Sequence, residues 1–369
     1  MVKLGGLELV NLTKKFVGFT LGPLNLKIND NDILVMIGPT GSGKTTVLNL
    51  ISGLLKPDDG SILVDGIDIT TLPVESRRIG YTFQNPSLFP HLNVYDNIVF
   101  GLTKKARSRK KENSNLEIRR LLEDLGISHL TYRHIQGLSG GETQKVSLAR
   151  MLVTKPKIML MDEPLVHLDT LTKRKLRLEL RRILRRQGVP TIYVTHFEDD
   201  VYALADSVSI LKDGVIEYTD RLESVLITSQ NNNPTSPFLS NILSSGESNY
   251  LEGNVVKSKN GVATFKIGSY LLETLGDYSI GSKVGILVRP EDIILSKEIV
   301  KTSARNIVKA KVEKITNYNA GVVDVHVLID TFHITSRITE EARTDLQITE
   351  DDYIFAIFKA SSPQVVREE

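Results

Sequence analysis

The stretch Gly38-Pro39-Thr40-Gly41-Ser42-Gly43-Lys44-Thr45-Thr46 constrains this chain more than any other. It follows an uninterrupted apolar run, Ile33 to Ile37, and opens into Val47-Leu48-Asn49-Leu50-Ile51. That order reads as strand, glycine-rich turn, helix. The spacing of Gly38, Gly43, Lys44 and Thr45 is that of a loop that cradles phosphates. Gly41 and Gly43 free the backbone to wrap an anion with its N–H groups turned inward. The helix N-terminus behind them adds partial positive charge. In such a loop Lys44 reaches the β- and γ-phosphates of a nucleotide, and the Thr45 hydroxyl serves Mg²⁺. A glycine-rich turn before an ordinary helix satisfies the same pattern, so other stretches must decide the reading.

Several later stretches do. Ile158 to Met161 is an apolar strand that ends in Asp162-Glu163 and is stopped by Pro164. Carboxylates at the C-terminal end of a buried strand suit a nucleotide site in a parallel sheet. Asp162 is placed to hold Mg²⁺, directly or through water, and Glu163 to orient or deprotonate a water. Thr191 to Thr195 is another strand, ending in His196; a His there can hydrogen-bond a γ-phosphate, and although a His standing alone reads first as structural, this one sits at the same sheet edge as the acids. Ile79 to Phe83 is a third, ending in Gln84; a polar side chain there can hold Mg²⁺ or the attacking water, although a Gln standing alone reads first as a loop residue. Phe16 suits either an adenine ring stacked on it or the core of a small β-subdomain whose short strands are Leu7–Val10 and Leu24–Ile28. Ser61 to Gly66 reads as a strand closing in a turn, and Val208–Leu211 with Val215–Tyr218 as a hairpin.

Leu138-Ser139-Gly140-Gly141-Glu142 is a second anion-binding turn, opening a helix over Thr143–Leu152. The phosphates of one nucleotide cannot easily meet both glycine turns within one domain. A homodimer in which each subunit's second turn caps the other's nucleotide resolves this.

A length of 369 residues predicts more than one domain. Net charge is +2, from 46 Lys and Arg against 44 Asp and Glu, which gives no global argument for nucleic acid. The absence of Cys excludes disulfides, thiol catalysis and Cys-ligated zinc. The N-terminus has no long apolar core of a signal peptide, and no run approaches the roughly 20 apolar residues that span a bilayer. A membrane role must then run through a partner. The run Thr103–Asn115 reads as a solvated basic segment, followed by Leu116, Leu121, Leu122 and Leu125 at near-helical spacing. Lys173–Arg186 reads as a basic helix with Leu176, Leu180 and Leu184 as its buried stripe and its cations mostly on a solvated face.

Polar, breaker-rich Gln230–Pro237 marks a linker, giving the division 1–230, 231–248 and 249–369. From Asn249 onward, short alternating strands predict a β-barrel or sandwich. Val284–Pro290 and Ile354–Ala360 form a weak internal repeat, consistent with two small lobes or with chance likeness between strands.

Taken together, GPTGSGKT, Gln84, LSGGE, IMLMDEP, Asp169 and His196 resemble the ATPase subunit of ATP-binding cassette transporters. LSGGE is the most specific element, and Phe83–Leu102 resembles the import-type cassettes that dock on a permease. The resemblance implies an α/β phosphate-loop core with helical and small antiparallel β subdomains. It implies that Gly41, Ser42, Gly43, Lys44 and Thr46 contact phosphate, that Thr45 binds Mg²⁺, and that Gln84 senses Mg²⁺ and the permease. Ser139 and Gly141 then contact ATP on the other subunit, Glu163 is the catalytic base, His196 touches the γ-phosphate, and Asp169 lies at the dimer interface. Thr143, Ser147, Val166, His167 and Phe197 depart from the usual pattern without removing a catalytic group.

The C-terminal part resembles the OB-like oxyanion-binding domains of molybdate and tungstate importers, on Thr302–Asn306 and Phe358–Ser362. This makes Ser303, Ala304, Arg305, Asn306, Lys359 and Ser361 a candidate oxyanion site; the alternative is a domain that only supports the dimer, as in sugar importers. The implied protein is peripheral, at the cytoplasmic face of the cell membrane. It works with ATP, Mg²⁺, permease subunits and an external substrate-binding protein. A sugar, sulfate or ferric-iron importer is the nearest alternative. A soluble cassette ATPase of repair or translation is another, but it would carry a coiled-coil insertion or tandem cassettes.

Overall fold

The apolar runs singled out above form the central strands of one twisted sheet. In the computed structural model, which describes residues 5–102, 111–222, 224–225 and 249–368, the chain falls into two units, Met1–Val225 and Leu226–Glu369. The linker expected at 231–248 and the basic residues 103–110 lie outside the described residues.

The first unit runs β1 (Gly6–Phe16), β2 (Phe19–Asn29), β3 (Ile33–Ile37), α1 (Lys44–Ser52), β4 (Asp59–Val64), β5 (Ile67–Asp68), β6 (Ile79–Thr82), α2 (Val94–Phe100), α3 (Lys111–Asp124) and α4 (Gly140–Leu152). It continues through β7 (Ile158–Asp162), α5 (Thr170–Gln187), β8 (Thr191–Val194), α6 (Glu198–Leu204), β9 (Ser207–Lys212) and β10 (Val215–Arg221). Six strands form the main sheet in the order β10-β9-β3-β8-β7-β6. All neighbours are parallel except the β9–β10 hairpin. Every residue of β3, β7 and β8 is buried, as expected of parallel strands covered on both faces. The register pairs Met36 and Asp162 with Val194, and Thr82 with Met161. Gly38, Glu163, His196 and Gln84 therefore follow strands that end at one edge of the sheet.

A second, antiparallel sheet has the order β2-β1-β4-β5. β1 and β2 are 11 residues each, longer than the alternating stretches Leu7–Val10 and Leu24–Ile28. The register shifts on either side of Leu12, beside Asn11 at φ 49°, so the period-two pattern breaks inside a continuous strand. The helix over Thr143–Leu152 starts earlier, at Gly140. Among the described side chains of α3, Ile118 and Leu122 are buried, followed by Leu125, whereas Leu116 is 53% exposed. In α5 the expected stripe Leu176, Leu180 and Leu184 is buried, but so are Arg177 and Arg181. The basic face of this helix is thus only partly solvated.

The second unit contains β11 (Asn249–Lys259), β12 (Val262–Ile267), β13 (Tyr270–Leu275), β14 (Lys283–Val288), β15 (Ile294–Ser296), β16 (Asn306–Asn319), β17 (Val322–Ile329), β18 (Phe332–Thr339), α7 (Glu340–Asp345), β19 (Tyr353–Phe358) and β20 (Gln364–Glu368). It has two five-stranded antiparallel sheets, β13-β12-β11-β14-β20 and β15-β19-β16-β17-β18. The two similar stretches are β14 and β19, each flanked on both sides within its own sheet. Both sheets face a single core, with Val255, Phe265 and Ile286 from one and Val325, Ile354 and Phe358 from the other. The similarity therefore marks equivalent central strands around one core, not two separate lobes.

Candidate nucleotide site

At the end of β3 the chain turns through Gly38, where a Cβ would lie 2.0 Å from the Leu211 carbonyl oxygen and 2.9 Å from Ser42 Oγ. Only glycine fits. Gly41 and Gly43 have φ of 84° and 105°, the left-handed region that glycine enters without strain. Gly43 is the N-cap of α1 and offers no side-chain cap, so the first-turn N–H groups are not taken up locally.

The Lys44 ammonium folds back over the loop and donates to the carbonyls of Gly38 and Pro39, both at 2.8 Å. Burial lowers its pKa, while the charges of Glu163 and Asp162 oppose that shift. Ser42 Oγ is buried without a hydrogen-bond partner, an uncommon state for a hydroxyl. A loop with free helical N–H groups, a cation and a hydroxyl lacking an acceptor fits a polyphosphate.

Across the sheet edge, Thr45 Oγ1 donates to Asp162 Oδ2 at 2.8 Å. Burial pushes the Asp162 pKa up and Glu163 adds to the rise, against the Thr45 hydrogen bond and the Lys44 charge. A hydroxyl beside a carboxylate, with the Gln84 amide nearby, is the hard oxygen donor set that Mg²⁺ takes.

Glu163 follows Asp162 with φ 45°, a conformation that costs a non-glycine residue about 1–3 kcal/mol. Its N–H donates to the Val194 carbonyl at 3.0 Å, which ties the turn to β8. Its carboxylate is held between Gln84 Nε2 at 3.4 Å and His196 Nδ1 at 3.1 Å. Lys44, Thr45, Gln84, Asp162, Glu163 and His196 thus converge on one edge, as their places at strand ends predict.

Phe16 is 43% exposed, so it is not a core residue. Its ring stacks on Phe19, and the Phe19 ring lies 3.3 Å from where a Gly43 Cβ would sit. The hairpin carrying Phe16 is thereby set beside the phosphate loop.

The second glycine turn is built differently. Ser139 caps α4 reciprocally: its Oγ accepts from the Glu142 N–H at 3.3 Å, and Glu142 Oε2 accepts from the Ser139 N–H at 2.7 Å. The latter bond leads the causes that lower the Glu142 pKa. Thr143 Oγ1 donates to the Ser139 carbonyl at 2.9 Å, so this departure adds to the first turn of the helix. A Cβ on Gly140 would meet Leu168, and one on Gly141 would lie 2.8 Å from Thr172 Cγ2. The turn therefore packs on the start of α5, where Asp169 accepts from the Thr172 N–H at 3.0 Å.

Two supporting residues escaped the sequence reading. Asn97 is fully buried; it accepts from the Phe89 N–H at 2.8 Å and donates to the carbonyls of Phe89, Leu92 and Asn93. Arg150 of α4 donates to the carbonyls of Ser87 and Pro86, just beyond Gln84. The available signal was an Asn inside the apolar spacing of α2.

In the second unit Asn306 pairs with Phe358, which brings 303–306 alongside 358–361. Ser303, Arg305, Lys359 and Ser361 are exposed, and Ala304 is buried. Asn306 is buried: its Oδ1 accepts from the Glu273 N–H at 2.7 Å, and its Nδ2 donates to the carbonyls of Glu273 and Lys359. Its side chain is thus engaged with main chain. A space inside the core is lined only by apolar side chains, among them Leu251, Val288 and Phe358, and does not suit an anion.

Residues 21–166 match the family model described as ABC transporter, and residues 302–363 match the TOBE domain. The chain is 37% identical over 359 residues to the molybdate/tungstate import ATP-binding protein WtpC of Pyrococcus horikoshii, covering 97% of this chain and 99% of that protein. It is 36% identical over 290 residues to the spermidine/putrescine import ATP-binding protein PotA of Acetivibrio thermocellus, covering 78% and 79%. It is 35% identical over 330 residues to the sulfate/thiosulfate import ATP-binding protein CysA of Xylella fastidiosa, covering 87% and 91%. The solved structure of a nucleotide-free ATP-binding cassette from an ABC transporter superposes with TM-score 0.56 at 27% identity, covering 65% of this chain and 98% of that one. With both family models matched and relatives alike over nearly its whole length, the chain belongs to the ATP-hydrolysing, ATP-binding subunits of ABC transporters.

Proposed function

We propose that this subunit energises uptake of molybdate or tungstate. In this reading it acts as a homodimer on the cytoplasmic side of a membrane permease supplied by an external substrate-binding protein. The observation that carries the reading is the likeness to a molybdate/tungstate import protein across both units, 97% of the chain. Two subunits sandwich two ATP, Ser139, Gly140 and Gly141 of each facing the nucleotide of the other, with Asp169 at the junction.

Lys44 leaves its carbonyl partners to pair with the β- and γ-phosphates, and Ser42 and the first-turn N–H groups of α1 share the load. Thr45, Asp162 and Gln84 would hold Mg²⁺, which when bound neutralises charge on the phosphate oxygens. Glu163 accepts the proton of the attacking water, and His196 donates to the γ-phosphate. The catalysis is positioning plus charge stabilisation, and hydrolysis reopens the sandwich.

For the oxyanion, Ser303, Arg305, Lys359 and Ser361 supply hydroxyl and cationic donors on adjoining segments. Occupancy there holds the dimer open and so inhibits transport when internal oxyanion is plentiful. A sulfate importer is the second reading, favoured by the 35% identity to a sulfate/thiosulfate import protein.

The test is calorimetric titration of the full-length protein with molybdate, tungstate and sulfate, beside ATPase assays of the reconstituted transporter. Binding of the first two but not sulfate, with tungstate inhibiting, is expected. Sulfate binding alone moves the substrate to the second reading. No binding, with ATPase indifferent to tungstate at every concentration, rejects the feedback site.

A further inference from the structure

Half-buried Lys173 and buried Arg177 and Arg181 of α5 form a stripe with a spacing of four residues. Lys173 Nζ lies 4.1 Å from the centre of the Phe197 ring. Arg177 bridges Asp199 at 2.9 Å and Asp200 at 2.5 Å. Arg181 donates to the Leu204 carbonyl at 2.6 Å and to Asp206 at 3.2 Å. Residues four apart share one helix face, so a single face of α5 grips the segment from Phe197 to Asp206.

The middle grip continues towards the site. Asp200 is buried, and its second oxygen accepts from Thr195 Oγ1 at 2.6 Å and from the Tyr193 hydroxyl at 3.3 Å. Thr195 Oγ1 in turn accepts from the Phe197 N–H at 3.1 Å. A hydroxyl that donates to a carboxylate and accepts the amide two residues on closes a tight local turn. The residue inside that turn is His196, whose Nδ1 is 3.1 Å from Glu163 Oε1. Phe197, one of the departures from the usual pattern, closes the other side, its ring centre 4.0 Å from that of the imidazole.

We propose that the Arg177–Asp200–Thr195 chain is a positioning device. It fixes the main chain around His196, and so its imidazole, from α5, the helix that Asp169 caps. Thr195 is the link that matters most, because its hydroxyl joins the buried carboxylate to the turn. An Arg–carboxylate pair buried in this way holds its geometry tightly, and the Thr195 hydroxyl passes that geometry to the His196 backbone. The device rests on the reading of His196 as the γ-phosphate contact. It adds that the imidazole is held in place from α5.

The test is steady-state Mg-ATP hydrolysis by the full-length protein, with ATP affinity measured in parallel. Thr195→Val keeps the shape and removes the hydroxyl; kcat is expected to fall by about 100-fold, the scale of a misplaced catalytic group, with KM for ATP within about twofold. Thr195→Ser restores the hydroxyl and is expected to recover turnover to within about threefold of the parent, because the donor and acceptor are back in place. In a His196→Ala background, Thr195→Val is expected to cause no further loss, because residues acting as one unit are not additive. Parent-like turnover in Thr195→Val overturns the proposal, as does an equal extra loss in the His196→Ala background. Loss of ATP binding in Thr195→Val also overturns it, since the chain would then serve the fold alone. Full turnover in His196→Ala alone rejects the reading of His196, and the device with it. That outcome is distinct from a failure of Thr195→Val in a protein whose His196 matters.

Discussion

The Thr45 hydroxyl and the Asp162 carboxylate share a 2.8 Å hydrogen bond across the mouth of the phosphate loop. Burial holds the Asp162 pKa above the ordinary carboxylate range. The folded value exceeds the unfolded one, so the folded state takes up the proton first as pH falls. The charged group therefore weakens the fold above its folded pKa, and this is relieved as pH drops through that value. Asp162→Asn is expected to melt higher than the parent at neutral pH, by a margin that shrinks towards about pH 4. The same variant should lose Mg-ATP turnover by about 100-fold or more. Thermal melts across pH without nucleotide, beside an ATPase assay, check both halves; a melting point below the parent's at neutral pH rejects the burial argument.

Glu163 touches both Gln84 and His196, which makes its carboxylate the meeting point of three strand ends. Glu163→Gln preserves shape and removes the proton acceptor. ATP affinity is expected to stay within about threefold of the parent, while turnover falls by about 100-fold or more. Filter binding with labelled ATP and a phosphate-release assay measure the two quantities. Undiminished turnover sinks the assignment of Glu163 as base.

How much of this edge was legible follows from its physics. A buried parallel strand reads as an apolar run, and the first polar residue after it must lie at the sheet edge, so Gly38, Gln84, Asp162, Glu163 and His196 could be placed without coordinates. Arg177 and Arg181 could not. Their carboxylate partners Asp200 and Asp206 are more than 20 residues away, and a run of cations without visible acids reads as a solvated face. The break at Asn11 in β1 was hidden for another reason, since alternation says nothing about a strand that continues past a bulge. In the second unit the alternation disclosed strands and their likeness, but a shared core depends on which faces meet, and that is a tertiary fact.

Arg77 lies beneath the phosphate-loop helix. Its guanidinium donates to the carbonyls of Leu50 and Ile51 at the end of α1, and to Thr70 and Leu72. Removing it takes a charged donor from four buried or half-buried carbonyls, of which that of Leu50 keeps the Gly53 N–H. Arg77→Ala is expected to cost about 3 kcal/mol, the scale of a lost multidentate charged hydrogen-bond group. Urea denaturation of the two proteins measures this; a loss under about 0.5 kcal/mol, the range of ordinary surface substitutions, refutes the role.

Asn306 and Arg305 are neighbours with opposite duties in the proposed oxyanion site. Asn306 clasps main chain, so Asn306→Ala is expected to lower stability by about 2 kcal/mol. Arg305 is exposed, so Arg305→Ala should leave the melt unchanged and weaken tungstate binding by about tenfold, the scale of one charged hydrogen bond. Calorimetry and melts on both variants separate the two; equal tungstate affinity in Arg305→Ala and parent moves the anion elsewhere.

Asn97 gives the segment between Gln84 and α2 an unusual independence. One buried amide collects the main chain of Phe89, Leu92 and Asn93, and Pro90 and His91 are left exposed at the tip. The path of this loop is written by a residue outside it. Its outward side chains are then free to be rewritten with the chassis beneath left untouched.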